Sequence, residues 1–275
     1  MANTDITQTF NLVADGYDSP ALRFFPFVAD YLADKLPLKA GDRVLDVGTG
    51  TGVMAVACAQ GIVPGGRVQA IDMSSRMLDR LQFHMNKNVL VNIDLHEMDA
   101  EQLEFRKDHF DIVTGNFILF FLEDMEQSLR GWVDVAKPGA TVAFTAFGPN
   151  AFQPMVNLFR ERYLTMGTGI ERDQIFGADR LSDPAECKQV AEAAGLVDVE
   201  IETKDMGYHL KGGADDWWEV VWNAGLRGLL DKLPQEKLGQ FKLQHLKEVA
   251  AVMKDNSYLN IETHFVIGKK PAVNS

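Results

Sequence analysis

Cysteine is scarce in this sequence: Cys58 and Cys187 are the only two among 275 residues, and they lie far apart without CxxC spacing. That excludes a disulfide framework or a zinc site of paired thiols, and leaves two small apolar side chains suited to a core. Positive charge is also short, with 27 Lys and Arg against 39 Asp and Glu, a formal net charge of −12 and no dense basic cluster. Such a chain repels polyanions, so nucleic acid and anionic membrane surfaces are disfavoured as partners. No apolar run approaches the roughly 18 residues that span a bilayer. The opening MANTDITQTF has neither the basic nor the apolar region of a secretory signal, so a cytoplasmic location is expected. Internal repeats and low-complexity segments are missing too. What remains is an ordinary globular balance, 46% hydrophobic and 24% charged, in a chain long enough for one large domain.

Hydrophobic periodicity orders the chain. Residues 5–36 read as two helical pieces broken around Gly16-Tyr17-Asp18-Ser19-Pro20, the second with Leu22, Phe25, Val28, Ala29 and Leu32 on one face. Short apolar strands are expected at 43–47, 67–71, 91–97, 110–114 and 140–147, separated by helices at 53–60, from Ser74 or Ser75 to about 86, and at 123–136. Lys137-Pro138-Gly139 marks a turn. This alternation implies a mostly parallel sheet covered on both faces. Further on, helices are expected at 151–165, from Ser182-Asp-Pro-Ala185, at 215–230 and at 234–253. A loop should occupy 167–181, strands 197–203 and 258–268, and a frayed tail 269–275.

The chemistry concentrates where the first strand ends. Gly48-Thr-Gly-Thr-Gly52 lies between strand and helix, where backbone without Cβ atoms admits a ligand and the helix start offers free N–H groups. Asp72 follows at the end of the second strand, 72 − 52 = 20 residues past Gly52, the position that takes the hydroxyls of an adenosine ribose. A dinucleotide fingerprint, G-x-G-x-x-G, would want glycine where Val53 stands. Asp46 inside the first strand would be a poor neighbour for pyrophosphate and a good one for an ammonium. The pattern favours S-adenosyl-L-methionine over NAD.

Val44-Leu-Asp-Val-Gly-Thr-Gly-Thr-Gly52 resembles the first motif of class I adenosylmethionine methyltransferases, and Asp72 their ribose-binding acid. Met98-Asp99-Ala100, Phe110-Asp-Ile-Val113 with Asn116, and Lys137-Pro-Gly139 are similar to the later motifs in order. Upstream, Phe10-x-x-x-Ala14-x-x-Tyr17-Asp18 resembles the ubiquinone/menaquinone methyltransferase group and its small-molecule relatives. The resemblance covers most of residues 8–148 and implies a Rossmann-like, doubly wound α/β fold, with seven strands of which the last is antiparallel. It implies a single methyltransferase domain over 1–275: N-terminal helices at 1–36, a cofactor-binding core at 37–148, and cap elements with the last two strands at 149–275. By the same resemblance Gly48, Thr49, Gly50 and Gly52 would cradle the methionine moiety and Asp46 would face its ammonium. Asp72 would hold the ribose, Met73 pack on adenine, and Asp99 and Ala100 bind the adenine edge. Asn116 would sit near the sulfonium, with Tyr17 closing over the cofactor.

The acceptor is less legible. The loop Gly115-Asn116-Phe117-Ile118 lacks the Asn/Asp-Pro-Pro-Tyr run of enzymes that methylate adenine or glutamine amides. Phe152, Met155, Phe159, Tyr163, Trp217, Trp218 and Trp222 offer an aromatic cover for a small apolar or aromatic acceptor, or equally a face for a second subunit in a homodimer. His209, after the sixth strand, is the candidate general base, should the acceptor need one. No metal ligand set is expected. A catalytically silent cofactor- or partner-binding module, and non-methylating chemistry on the same cofactor, stand as alternatives.

Overall fold

The computed structural model describes residues 3–171, 175, 177–254 and 256–272. Its centre is a seven-stranded sheet built from β1 (Arg43–Val47), β2 (Arg67–Asp72), β3 (Ile93–Glu97), β4 (Phe110–Asn116), β5 (Ala136–Phe147), β6 (Val197–Asp205) and β9 (Glu262–Lys269). The order is β3-β2-β1-β4-β5-β9-β6. β1 pairs in parallel with both β2 and β4, whereas β9 runs antiparallel to β5 and β6. The expected α/β architecture with an antiparallel last strand is therefore present. β1 is central because Val44, Leu45 and Val47 are fully buried, the continuous apolar run of a strand covered on both faces. β6, at the edge, is mostly exposed. Chain order reverses between β1 and β4, so the crevice beyond their carboxyl ends is where such a sheet accepts a ligand.

Around the sheet lie α1 (Asn3–Val13), α2 (Phe24–Lys35), α3 (Val53–Gly61), α4 (Ser75–Asn88), α5 (Met125–Val135) and α7 (Pro184–Ala193). Ser74 caps α4 by accepting from the Met77 N–H at 3.2 Å, and Asp124 caps α5 through the Gln127 N–H at 2.9 Å. The cap comprises α6 (Met155–Leu164), α8 (Ala214–Trp222), α9 (Arg227–Leu230) and α10 (Gln235–Met253). Among the described residues, no helix is long and apolar enough to cross a membrane.

Several boundaries differ from the sequence expectation, each for a local reason. The single helix expected at 215–230 breaks after Trp222, because the Asn223 side chain turns back onto the Glu219 carbonyl and Gly16 sits against it. A Cβ at Gly16 would lie 1.9 Å from Asn223 Oδ1. The helix expected from 151 starts at Met155, since Phe152 adopts a left-handed φ of +61° that no helix accommodates. The strand expected at 258–268 is two: β8 (Tyr258–Leu259) forms a ribbon with β7 (Tyr208–His209), and β9 resumes at Glu262. The tail is anchored through residue 270, where Lys270 Nζ donates to Asp108 and to the Asp134 and Ala136 carbonyls. Residues 172–174 and 176 of the expected loop, and 273–275 of the tail, lie outside the described residues.

Candidate cofactor and acceptor chambers

The first half of the glycine loop is held by the end of β2. Thr49 N–H donates to the Ile71 carbonyl at 2.9 Å, and Gly50 N–H to Asp72 Oδ2 at 2.8 Å. Gly52 has φ +91° and a Cβ there would sit 2.2 Å from Leu81 Cδ1, so α4 presses directly on the loop. Gly50 has φ +56° but open space above its α-carbon, the nearest side-chain atom being Tyr17 Cε1 at 3.9 Å. One glycine is required by packing, the other leaves room for a ligand.

Asp46 stands behind this loop and does not line the cavity in front of it. It is fully buried, with Oδ2 accepting from Thr49 Oγ1 at 2.7 Å and Oδ1 from Thr114 Oγ1 at 2.9 Å. It also takes the Ala55 N–H in the first turn of α3, one of the donors a helix start leaves free. Burial outweighs these hydrogen bonds and pushes its carboxyl up to about 6.

In front of the loop is a cavity of ≈ 720 Å³ lined by Gly48, Gly50, Asp72, Met73, Asp99, Ala100, Asn116 and Tyr17. Eight of the residues named from the sequence thus converge on one chamber. Asp72 is oriented by the Gly50 and Ser74 N–H groups, each at 2.8 Å, and burial raises its carboxyl above the usual range. Asp99 Oδ1 accepts the Glu101 N–H at 2.9 Å, and Trp132 Nε1 donates to the Ala100 carbonyl at 3.0 Å, which fixes the chamber's far end. Sequence reasoning missed the contribution of α1, whose Ile6, Thr7 and Phe10 close the near side. It also missed Ile118, Phe121 and Leu122 after β4. An apolar run that outlasts the strand before it was the available signal for these.

A second chamber of ≈ 750 Å³ opens next to the first and shares Phe10, Tyr17, Phe117 and Phe121 with it. Its other walls include Phe24, Phe25, Phe147, Phe152, Trp217 and Leu229. Among its described lining residues none is charged. Phe117 stacks on Phe147 with ring centroids 4.0 Å apart, and Tyr17 stacks on Phe25 at 4.8 Å. Burial, then the neighbouring Asp72 and Asp18 charges, raise the Tyr17 phenol, so it keeps its proton. The segment bearing Tyr17 is tied to α4: Asp18 accepts from Arg80 at 3.0 Å and His84 at 2.9 Å, and Asp15 pairs with Arg76 at 2.7 Å.

The aromatic cover divides. Phe152 and Trp217 face the second chamber. Trp218 and Trp222 instead stack on each other at 5.7 Å, with Lys242 over Trp218 and Arg227 over Trp222. Phe159 and Tyr163 pack with Phe241 inside the cap. They are core, a role that helical spacing alone does not distinguish from a pocket wall. His209 lines neither chamber: its carbonyl accepts from Arg23 at 2.8 Å and its exposed ring lies 5.2 Å from Tyr258. The β7–β8 ribbon, unforeseen from the sequence, carries it away from the strand ends.

A doubly wound sheet with a ribose-type acid, a glycine loop and a chamber at its switch point defines a nucleoside-cofactor-binding α/β protein. Residues 44–139 match the methyltransferase domain family. The aklanonic acid methyltransferase DauC of Streptomyces sp. (strain C5) is 31% identical over 160 residues, 55% of this chain and 73% of that protein. The ubiquinone/menaquinone biosynthesis C-methyltransferase UbiE of Pseudomonas fluorescens (strain SBW25) is 36% identical over 114 residues, 40% of this chain but only 43% of its own length. In fold, the YcgJ protein of Bacillus subtilis aligns over 90% of this chain and 99% of its own with a TM-score of 0.59, at 18% identity. The chain belongs to the class I S-adenosylmethionine-dependent methyltransferases.

Proposed function

We propose that this protein moves the methyl group of S-adenosylmethionine to a small apolar or aromatic metabolite by in-line displacement. The observation that carries this reading is the pair of adjoining chambers, one lined by the half-buried carboxylates of Asp72 and Asp99, the other walled by rings, with Tyr17 and Phe117 at their junction. The first suits the cofactor. Asp72 and Asp99 stand ready for hydroxyl and amino donors, Met73 and Met98 offer apolar contact, and the backbone at Gly50 is bare. A buried donor, Asn116 Nδ2, has no partner among the described residues.

The cofactor, when bound, supplies an activated methyl group, which leaves the protein to position the acceptor and exclude water. Asp72 fixes the ribose, the Asp99–Ala100 segment the adenine, and Met73 its face. Gly48, Thr49, Gly50 and Gly52 shape the bed for the methionine moiety, with Asp46 bracing that bed from behind. The rings of Phe117, Phe147, Phe152 and Trp217 hold a flat apolar acceptor and keep the junction dry. Tyr17, kept protonated, closes the junction as a neutral donor. This reading asks for no base from His209: alignment drives the transfer, and any proton that the methylated product must shed passes to solvent water. The partner is a small molecule.

Calorimetric titration with S-adenosylhomocysteine tests the assignment. Wild type is expected to bind one equivalent, and Asp72→Ala to bind roughly 10- to 100-fold more weakly, the loss of hydrogen bonds to a charged group. Failure of folded wild type to bind would refute the reading.

A further inference from the structure

Asn116 ends β4 on the wall of the cofactor chamber, one residue before Phe117, which lines both chambers, and its surroundings orient its amide. Phe117 N–H donates to Thr145 Oγ1 at 3.1 Å. The hydroxyl accepts there, and its own proton goes to Asn116 Oδ1 at 2.7 Å, the one acceptor it has among the described residues. With Oδ1 facing Thr145, that hydroxyl proton is satisfied. The opposite atom, Nδ2, is left as a donor, and it is buried without a partner among the described residues. An unsatisfied buried donor is costly, and such a group calls for a ligand atom that accepts.

Of the polar groups on the cofactor's methionine moiety, the sulfonium and the ammonium accept no hydrogen bond and only the carboxylate does, an alternative that the cofactor affinity of the variants below tests. The acceptor chamber, for its part, supplies almost no polarity: Tyr17 carries the one hydroxyl on its described lining side chains, and Trp217 Nε1 is already bonded to His245 Nε2 at 2.8 Å. A ring-bound oxygen on an otherwise apolar acceptor would be the complementary group.

We propose that Asn116 donates through Nδ2 to a carbonyl, enolate or phenolate oxygen of the acceptor, and that Thr145 is the positioning residue that holds the amide in that orientation. The substrate class is thereby an oxygenated, flat, apolar molecule whose methyl-receiving atom lies beside that oxygen. This rests on the two-chamber reading above, and its test is arranged to fail separately. In protein saturated with S-adenosylhomocysteine, binding of 1-tetralone and of tetralin, which lacks only the carbonyl, is followed by quenching of tryptophan fluorescence.

Wild type should prefer the ketone by about three- to tenfold, the worth of one hydrogen bond. Asn116→Asp, which offers no donor, and Thr145→Val, which frees the amide, should abolish the preference while leaving tetralin binding unchanged. Thr145→Ser should restore it, a rescue that a merely structural role for the methyl-bearing side chain would not produce. Calorimetry with S-adenosylhomocysteine on each variant separates the two readings. If Asn116→Asp weakens cofactor binding tenfold and leaves the ketone preference intact, Asn116 is a cofactor ligand and the proposal falls. Equal affinity of wild type for both probes also overturns it, even where cofactor binding is normal.

Discussion

Asp46 makes the stability of this protein depend on pH in a direction opposite to that of most paired carboxylates. Its carboxyl ionises at about 6 in the folded chain against an ordinary value of 3.8, because burial outweighs the hydrogen bonds from Thr49, Thr114 and Ala55. The folded state therefore holds this proton more tightly than the unfolded one. The penalty for ionising Asp46 is absent well below pH 3.8 and complete above pH 6. Converted at about 1.36 kcal/mol per pH unit, the full penalty is roughly 3 kcal/mol, and about 1.4 kcal/mol of it develops between pH 5 and pH 8. Asp46→Asn removes the ionisation but keeps one carbonyl for the hydroxyl donors.

Urea unfolding of both proteins at several pH values from 5 to 8 gives the measurement. The variant should gain on wild type by about 1–1.5 kcal/mol across that range, whatever fixed cost the amide carries. Comparing slopes cancels that fixed cost. A difference that stays flat, or moves the other way, would refute the claim that desolvation dominates at Asp46.

Other outcomes follow from the same geometry. Gly52→Ala should lower stability by about 1–3 kcal/mol, since its Cβ meets Leu81, whereas Gly50→Ala should cost near 1 kcal/mol yet still block S-adenosylhomocysteine in calorimetry. Equal stability losses would argue against the packing role of Gly52. Asp18→Asn cuts the links from the Tyr17 segment to Arg80 and His84, so S-adenosylhomocysteine should leave about two- to fivefold faster in stopped-flow fluorescence. An unchanged off-rate would mean that this segment does not gate the chamber.

Local sequence determined the frame. The apolar run of β1, the loop Gly48-Thr-Gly-Thr-Gly52 and Asp72 at the end of β2 are neighbours along the chain, so their order alone put them at one corner of the sheet. Caps such as Ser74 before α4 were legible for the same reason: the interaction spans three residues. What lay beyond the sequence depends on contacts between distant segments. Asp46 is two residues from Gly48 in the chain, yet Thr114, Thr49 and the start of α3 draw its carboxylate behind the loop. Trp217 and Trp218 are adjacent, but one walls a chamber and the other stacks in the cap, because successive side chains point about 100° apart around α8.

The β7–β8 ribbon pairs residues about fifty apart and carries His209 off the site, a pairing that no local periodicity encodes. Asn116 itself was readable as a strand-end residue. The orientation of its amide was decided only when β5 brought Thr145 beside it, since a hydrogen bond between adjacent strands is a property of their register and not of either segment alone.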